Sequence, residues 1–247
     1  MSEDFVFGTR AVIEAIRSGR TIDKVMVKKG LSNELFQELY QLVKEHRIPF
    51  QFVPVEKINR ITRKNHQGVV ALLASIDFYH MEDLLASVFE RGETPLLILL
   101  DGVTDVRNFG AIVRSAECAG VHGVVIPEKG AARINADAVK TSAGALNIVP
   151  VCRTHSLGGA LTYLRNSGVR IVAATEKAEK NYTSVDMTGP LAILMGAEDQ
   201  GISPALLQAA DEWAAIPVRG KIESLNVSVA ASLLMYEAVR QRPAPQG

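Results

Sequence analysis

Asp101-Gly-Val-Thr-Asp-Val-Arg-Asn-Phe-Gly-Ala-Ile-Val-Arg-Ser-Ala-Glu-Cys-Ala-Gly120 is the stretch on which the reading of this chain turns. An apolar run at residues 96–100 leads into it, and Ile112, Val113, Ala116 and Ala119 give its second half a helical spacing. That change of period marks a strand feeding a helix. Asp101, Thr104, Asp105 and Asn108 gather polar groups at the junction. Open α/β sheets bind ligands at the carboxyl ends of their strands, so this junction is a candidate active site. Arg114 follows Asn108 by less than two turns inside an otherwise apolar helix. Its cation is either solvated or aimed at an anion.

From residue 95 onward the same grammar repeats. Strands are expected at residues 96–100, 123–126, 169–174 and 191–195, with a short one at 214–217. Helical patterns fall at 110–119, 136–143, 156–166, 204–210 and 227–240. Alternation of this kind predicts an α/β fold with a mainly parallel sheet covered on both faces. Ahead of it, helices at 9–17 and 34–46 and strands at 24–27, 50–53 and 68–73 make a small α/β module, residues 1–75. Residues 76–94, ending in Arg91-Gly-Glu-Thr-Pro95, are expected to be a linker, leaving 95–247 as the catalytic domain. A short proline-rich tail is expected at residues 243–245.

Composition narrows the class. The 247 residues are 47% hydrophobic and 22% charged, as in an ordinary folded domain. Lys plus Arg equals Asp plus Glu at 27 each, so any nucleic-acid contact has to come from a local basic patch. The first residues, MSEDFVFGTR, lack the pattern of a signal peptide, and no apolar run approaches a membrane span. Cys118 and Cys152 stand apart from any paired motif, which points to a reduced cytoplasm. His46, His66, His80, His122 and His155 have no metal-ligand spacing, and no metal is expected.

Two further loops follow strands in the large domain. In Leu191-Ala-Ile-Leu-Met-Gly-Ala-Glu-Asp-Gln-Gly-Ile-Ser-Pro204 an apolar strand runs into Gly196, Glu198 and Gly201. Gly196 permits close backbone approach to a ligand and Gly201 a positive φ. Ser203 with Pro204 reads as an N-cap followed by proline at the first helical position. In Ile216-Pro-Val-Arg-Gly-Lys-Ile-Glu-Ser-Leu-Asn-Val-Ser228, polar Ser224, Asn226 and Ser228 precede the last helix. Capping explains any one of them on its own. Ala230 and Ala231 are small enough for tight backbone or ligand approach. There is no Gly-x-Gly-x-x-Gly after a strand and no Gly-Lys-Ser/Thr, which disfavours a nucleotide-dependent oxidoreductase.

Taken together, the three stretches resemble, in order and spacing, the motifs of the SpoU (TrmH-like) RNA ribose 2′-O-methyltransferases, over residues 95–242. Phe7-Gly-Thr-Arg-Ala-Val12 and His66-Gln-Gly-Val-Val70 are similar to the substrate-binding domain of a subset that includes 23S ribosomal RNA guanosine methyltransferases.

The resemblance implies a carboxyl-terminal trefoil knot, a homodimer and S-adenosylmethionine bound within the knot, largely by backbone groups. By position it assigns the cofactor to Thr175, to Met195, Gly196 and Ala197, to Ile216, Pro217 and Val218, and to Leu225, Asn226 and Ala230. It assigns catalysis to Arg114, supported by Asn108, Glu198, Ser224 and Asn226. A guanidinium is a poor base at neutral pH, so Arg114 is read as a clamp on phosphate and forming oxyanion. Val106 stands where the family often has proline, a change that removes no reacting group. RNA is expected on Arg60, Arg63, Lys64 and His66, with Arg10, Lys28 and Lys29 as further candidates. The implied substrate is a guanosine of 23S ribosomal RNA. A transfer RNA substrate, or a non-catalytic RNA-binding role in ribosome assembly, are the alternatives.

Overall fold

The short apolar runs at the start of the chain pair into a sheet of their own. The computed structural model describes residues 5–132, 134–222 and 224–242; the proline-rich tail at 243–245 lies outside them. The chain divides into two compact units, Met1–Asp77 and Phe78–Gly247.

The first unit runs β1 (Phe5–Phe7), α1 (Thr9–Arg17), β2 (Ile22–Lys28), α2 (Glu34–Glu45), β3 (Phe50–Val53), α3 (Val55–Asn59) and β4 (Val69–Leu73). The sheet order is β1-β4-β2-β3, antiparallel except for the β2–β3 pair. Strand side chains alternate between faces. Val25 and Val27 therefore meet Val12, Ile13, Leu39 and Val43 of α1 and α2, while Met26 and Val70 meet Ile58 of α3 on the other side. β1 and α3 are too short to leave a periodic signal, which is why the pattern misses them.

The second unit runs β5 (Phe78–Tyr79), α4 (Met81–Glu90), β6 (Leu96–Asp101), α5 (Val106–Cys118), β7 (Gly123–Pro127), α6 (Ala136–Thr141) and β8 (Val151–Thr154). It continues through α7 (Leu157–Asn166), β9 (Arg170–Ala174), β10 (Leu191–Gly196), α8 (Pro204–Ala209), β11 (Glu212–Ala214) and α9 (Val227–Gln241). The seven strands lie in the order β11-β9-β10-β6-β7-β8-β5 and every pairing is parallel. Leu97 and Leu99 of β6 pack with α4, α7 and α8 on one face. The intervening positions, Ile98 and Leu100, point to the other face, where α5 packs against α6 and α9.

Residues 76–94, read from the sequence as a linker, carry β5 and α4. Met81, Leu85 and Val88 fall on one helix face and are buried, so the segment from Phe78 onward belongs to the second unit. β8 escapes the pattern because Arg153 interrupts a four-residue strand. Cys152 on that strand is fully buried, and desolvation pushes its thiol up to about 12, which leaves it inert. β11 ends at Ala214 rather than continuing to residue 217, because the chain leaves β9 there and Ala215 pairs instead with Lys180 and Tyr182 through its backbone.

The amino-terminal edge of the large sheet is tied by two side chains. Arg242 donates to the carbonyls of Thr94, Pro95, Met187 and Gly189, anchoring the end of α9 under β6 and β10. His122 accepts the Leu96 N–H on Nδ1 at 3.0 Å and meets Glu93 through Nε2 at 3.0 Å. Burial holds the ring below its ordinary value of 6.5, against the opposing pull of Glu93. Protonation would also put a hydrogen on Nδ1, facing the Leu96 N–H. A depressed histidine contributes stability that is complete above the unfolded value and is lost as pH falls through it toward the folded one. Urea unfolding should therefore show wild type losing stability below about pH 6.5 more steeply than His122→Gln. Parallel pH profiles would contradict this.

Candidate active site

Gly196 of β10 stands in register with Asp101 of β6, so the loops that leave these two strands emerge side by side. This is also where the strand order reverses, since β6 is followed outward by β7 and β8 while β9 and β10 return on its other flank. Such a switch point is where open α/β sheets form their binding crevice. The crevice is widened by an uneven ladder. β10 pairs with β6 as far as Gly196, but with β9 only as far as Leu194. The main chain of Met195 and Gly196 thus has no ladder partner on the β9 side among the described residues.

The loop after β10 folds back on itself. Ala197 and Gly201 exchange backbone hydrogen bonds at 3.2 and 2.9 Å, leaving Glu198, Asp199 and Gln200 at the tip. Gly201 takes the expected positive φ of 66°. A Cβ at Gly196 would lie 2.1 Å from the Gly201 carbonyl carbon and 2.2 Å from the Ile202 nitrogen, so only glycine fits. Ser203 stands before Pro204 at the start of α8, but its side chain makes no cap bond. Its N–H is instead held by Asp101 at 2.7 Å, which ties the loop back to β6.

Three distant segments meet beside this loop. Asp105 caps α5 through the N–H groups of Arg107 and Asn108, starting the helix four residues earlier than its apolar pattern suggests. Val106 consequently occupies the first helical position, where proline is also well accommodated. Asn226 caps α9, its Oδ1 accepting from the N–H groups of Ser228 and Val229. Its Nδ2 donates to Asn108 Oδ1 at 2.9 Å and to Glu198 Oε1 at 2.5 Å. The same Glu198 oxygen accepts the Val227 N–H at 3.2 Å.

A cavity of about 330 Å³ opens against this junction, within the range of small-molecule sites. Thr175, whose N–H is held by Ala214 O at 3.0 Å, lines it after β9. Met195, Gly196, Ala197 and Glu198 line it after β10, and Ile216 and Val218 after β11. Ser224, Leu225, Val227 and Ala230 line it at the approach to α9 and in its first turn. Of the residues expected around a cofactor, Pro217 and Asn226 are not on the lining; Asn226 stands behind Glu198. Glu176, Lys177, Asp199 and Gln200 also line the cavity. Their only sequence signal was position, immediately beyond a strand end.

Arg114 lies exposed on α5 with no ion-pair partner among the described residues, while Ile112, Val113 and Ala116 are buried around it. Asn108, Glu198 and Asn226 are thus brought into direct contact, Ser224 joins Glu198 on the cavity wall, and Arg114 stands apart from the lining.

In the first unit Arg60 and Arg63 line an open depression with Glu56 and Asn59, and Lys64 lies over the Phe7 ring at 5.7 Å. Arg10, Lys28 and Lys29 are exposed. His66 is committed locally. Its Nδ1 accepts the Gly68 N–H and its Nε2 meets Asn59 Oδ1, both at 2.9 Å, so the ring holds its own loop. Among the described residues no group of three or more His, Cys, Asp or Glu side chains could hold a metal, and no helix is long and apolar enough to cross a membrane.

A parallel sheet with a ligand-sized cavity and a polar junction at its switch point defines an α/β enzyme domain, here preceded by a separate small α/β unit. The chain belongs to the SpoU rRNA methylase family, whose profile matches residues 95–236. Residues 5–79 match the RNA 2′-O ribose methyltransferase substrate-binding profile. The Bacillus subtilis protein YacO, assigned to the TrmH family of tRNA/rRNA methyltransferases, is 34% identical over 97% of this chain and 96% of its own. Among solved structures, the SpoU methyltransferase AviRb of Streptomyces viridochromogenes, in complex with the cofactor AdoMet, superposes with a TM-score of 0.61. It is 26% identical, covering 96% of this chain and 89% of that one. An A. aeolicus TrmH/SpoU tRNA-modifying enzyme is 33% identical over 65% of this chain and 83% of its own, with a TM-score of 0.55.

The Gly196 geometry yields a direct test. Gly196→Ala should lower the urea-unfolding free energy by about 1–3 kcal/mol or more, the usual cost of overpacking. Gly189→Ala, whose Cβ would meet nothing within 4 Å, is the matched control and should be neutral. Equal behaviour of the two variants would contradict the close approach.

Proposed function

We propose that this chain transfers a methyl group from S-adenosylmethionine to a ribose 2′-hydroxyl of RNA, with a guanosine of 23S ribosomal RNA as the substrate. The observation that carries the reading is the meeting of Asn108, Glu198 and Asn226 beside the switch-point cavity. The cavity suits the co-substrate in its chemistry. Main-chain groups of Met195 and Gly196 without a ladder partner offer hydrogen bonds to an adenine edge, and Ile216, Val218, Leu225 and Ala230 offer apolar walls. Glu176, Glu198 and Asp199 supply negative charge for a cationic ligand. The trefoil knot belongs to the same reading, with Ile216, Val218, Ser224 and Leu225 lining the cavity between β11 and α9.

When bound, S-adenosylmethionine supplies an electrophilic methyl carried on a sulfonium. The chain's own task is to position the hydroxyl in line and to stabilise the oxygen as it loses its proton. A guanidinium is a poor base at neutral pH, so Arg114 is not assigned the proton in this reading. It is the catalytic residue in this reading, gripping the RNA phosphate and the forming oxyanion. Glu198 and Asn226 are positioning residues, since their hydrogen bonds fix the loop after β10 to the start of α9. Asn108 accepts from Asn226 through Oδ1, which leaves its own NH₂ to align the hydroxyl. The cytoplasm, where ribosomal RNA is assembled, is the setting.

A homodimer completes the proposal. Val229, Leu233 and Tyr236 fall on one face of α9 and are exposed, an apolar stripe suited to a second copy. Sedimentation should show a dimer for wild type and a monomer for Leu233→Asp/Tyr236→Asp. A monomeric wild type would remove this part of the reading.

Methyl transfer from labelled S-adenosylmethionine to unmodified 23S ribosomal RNA and to transfer RNA tests the rest, with the modified nucleoside identified by mass. Label should appear in a 2′-O-methylguanosine of ribosomal RNA. Arg114→Lys should lose about a hundred- to a thousandfold, because the planar fork is gone although the charge remains. A near-wild-type rate in that variant would sink the clamp. Label in transfer RNA alone would keep the chemistry and overturn the substrate.

A further inference from the structure

The first unit carries an aromatic ledge that neither the basic cluster nor the cavity explains. β3 is an edge strand, paired only with β2 among the described residues. Phe50 and Phe52 project from it on the same face as Phe36 and Tyr40 of α2. The Phe50 and Phe52 centroids are 4.9 Å apart at 86°, Tyr40 and Phe50 5.5 Å apart at 68°, and Phe36 and Tyr40 5.9 Å apart. Phe36 and Phe50 are seated on the core beneath. Tyr40 and Phe52 are 37% and 46% exposed, so rings locked from below present themselves to solvent.

The charge around the ledge selects its occupant. Lys44 lies over the Tyr40 ring, 4.5 Å from its centroid, and Gln37 is the exposed neutral neighbour on that side of α2. Glu34, Glu38 and Glu45 all lie more than a quarter-turn around the helix from Tyr40. Glu38 is turned to Arg17 of α1 at 2.8 Å. Rigid rings, one amide and one cation, with the helix's carboxylates directed elsewhere, suit unstacked bases followed by a phosphate. Bases inside a duplex do not offer their faces to such a surface.

We propose that Tyr40 and Phe52, with Lys44, form a stacking platform for unpaired nucleotides of the RNA substrate. This rests on the RNA-methyltransferase reading and deepens it by requiring single-stranded nucleotides beside the target.

The test uses the full chain and fluorescein-labelled oligo(A) of about twelve nucleotides, within the site sizes of such surfaces. The same strand annealed to oligo(U) serves as the duplex. Tyr40→Leu/Phe52→Leu should weaken oligo(A) binding about tenfold or more, at one stacked base per ring. Duplex binding should not change, and Phe52→Tyr, which keeps the ring, should bind as wild type does. Unchanged oligo(A) affinity in the leucine variant, an equal loss for the duplex, or a loss in Phe52→Tyr would each overturn the platform. So would self-association that depends on the rings, which would mark the ledge as a protein contact. Methyl transfer by the same preparations separates the two claims. An inactive wild type that still binds oligo(A) through its rings overturns the reaction and leaves the platform. An active wild type whose leucine variant binds oligo(A) unchanged overturns the platform alone.

Discussion

Glu198, Asn226 and Asn108 hold the large unit's working end together, joining parts of the chain 118 positions apart in sequence. Asn226 does two things with one side chain. Its oxygen starts α9 by capping, a contribution of about 1 kcal/mol in typical helices, and its nitrogen ties that helix to the loop after β10 and to α5. A hydrogen bond to a charged group is worth more than a neutral one, so the Glu198 contact is the stronger tie. With Arg242 gripping four carbonyls at the opposite end, α9 is fixed at both termini against the strands it crosses.

That fixation matters because the sheet itself leaves an opening. β9 stops pairing with β10 two residues before β6 does, and the gap falls where the strand order reverses. A gap in a ladder costs stability unless something else satisfies the backbone. Here the folded-back loop after Gly196 closes one side and the chain entering α9 closes another. Glycine at 196 is demanded by backbone contact, not by turn geometry. The cavity thus lies where the β9–β10 ladder ends short of the β10–β6 ladder.

The alternation of strands and helices was legible because parallel strands buried on both faces read as continuous apolar runs. Elements with mixed signals were not. Arg153 hid β8, and the expected strand at 214–217 ends at Ala214, where Ala215 turns to pair with a segment distant in sequence. Residues 76–94 looked like a connector because their polar positions outnumber Met81, Leu85 and Val88, although those three share a face. At the site, Gly196, Glu198 and Asn226 announced themselves by residue type next to strand ends and helix starts. Their mutual bonding did not, since it depends on which strands are neighbours. His66, read from its basic setting as an RNA contact, is hydrogen-bonded through both ring nitrogens within its own unit, a feature its sequence neighbours did not signal. The aromatic ledge left no periodic trace because its rings come from a helix and a strand with different repeats.

Calorimetric titration of S-adenosylmethionine into the full chain, comparing wild type with Asn226→Ala, reaches the central claim most directly. Wild type should bind one equivalent per chain, and the variant should bind at least about tenfold more weakly, because one lost charge-assisted hydrogen bond is worth about 1.5–3 kcal/mol. Equal affinity in the two proteins would contradict the claim that the three-segment junction builds the site.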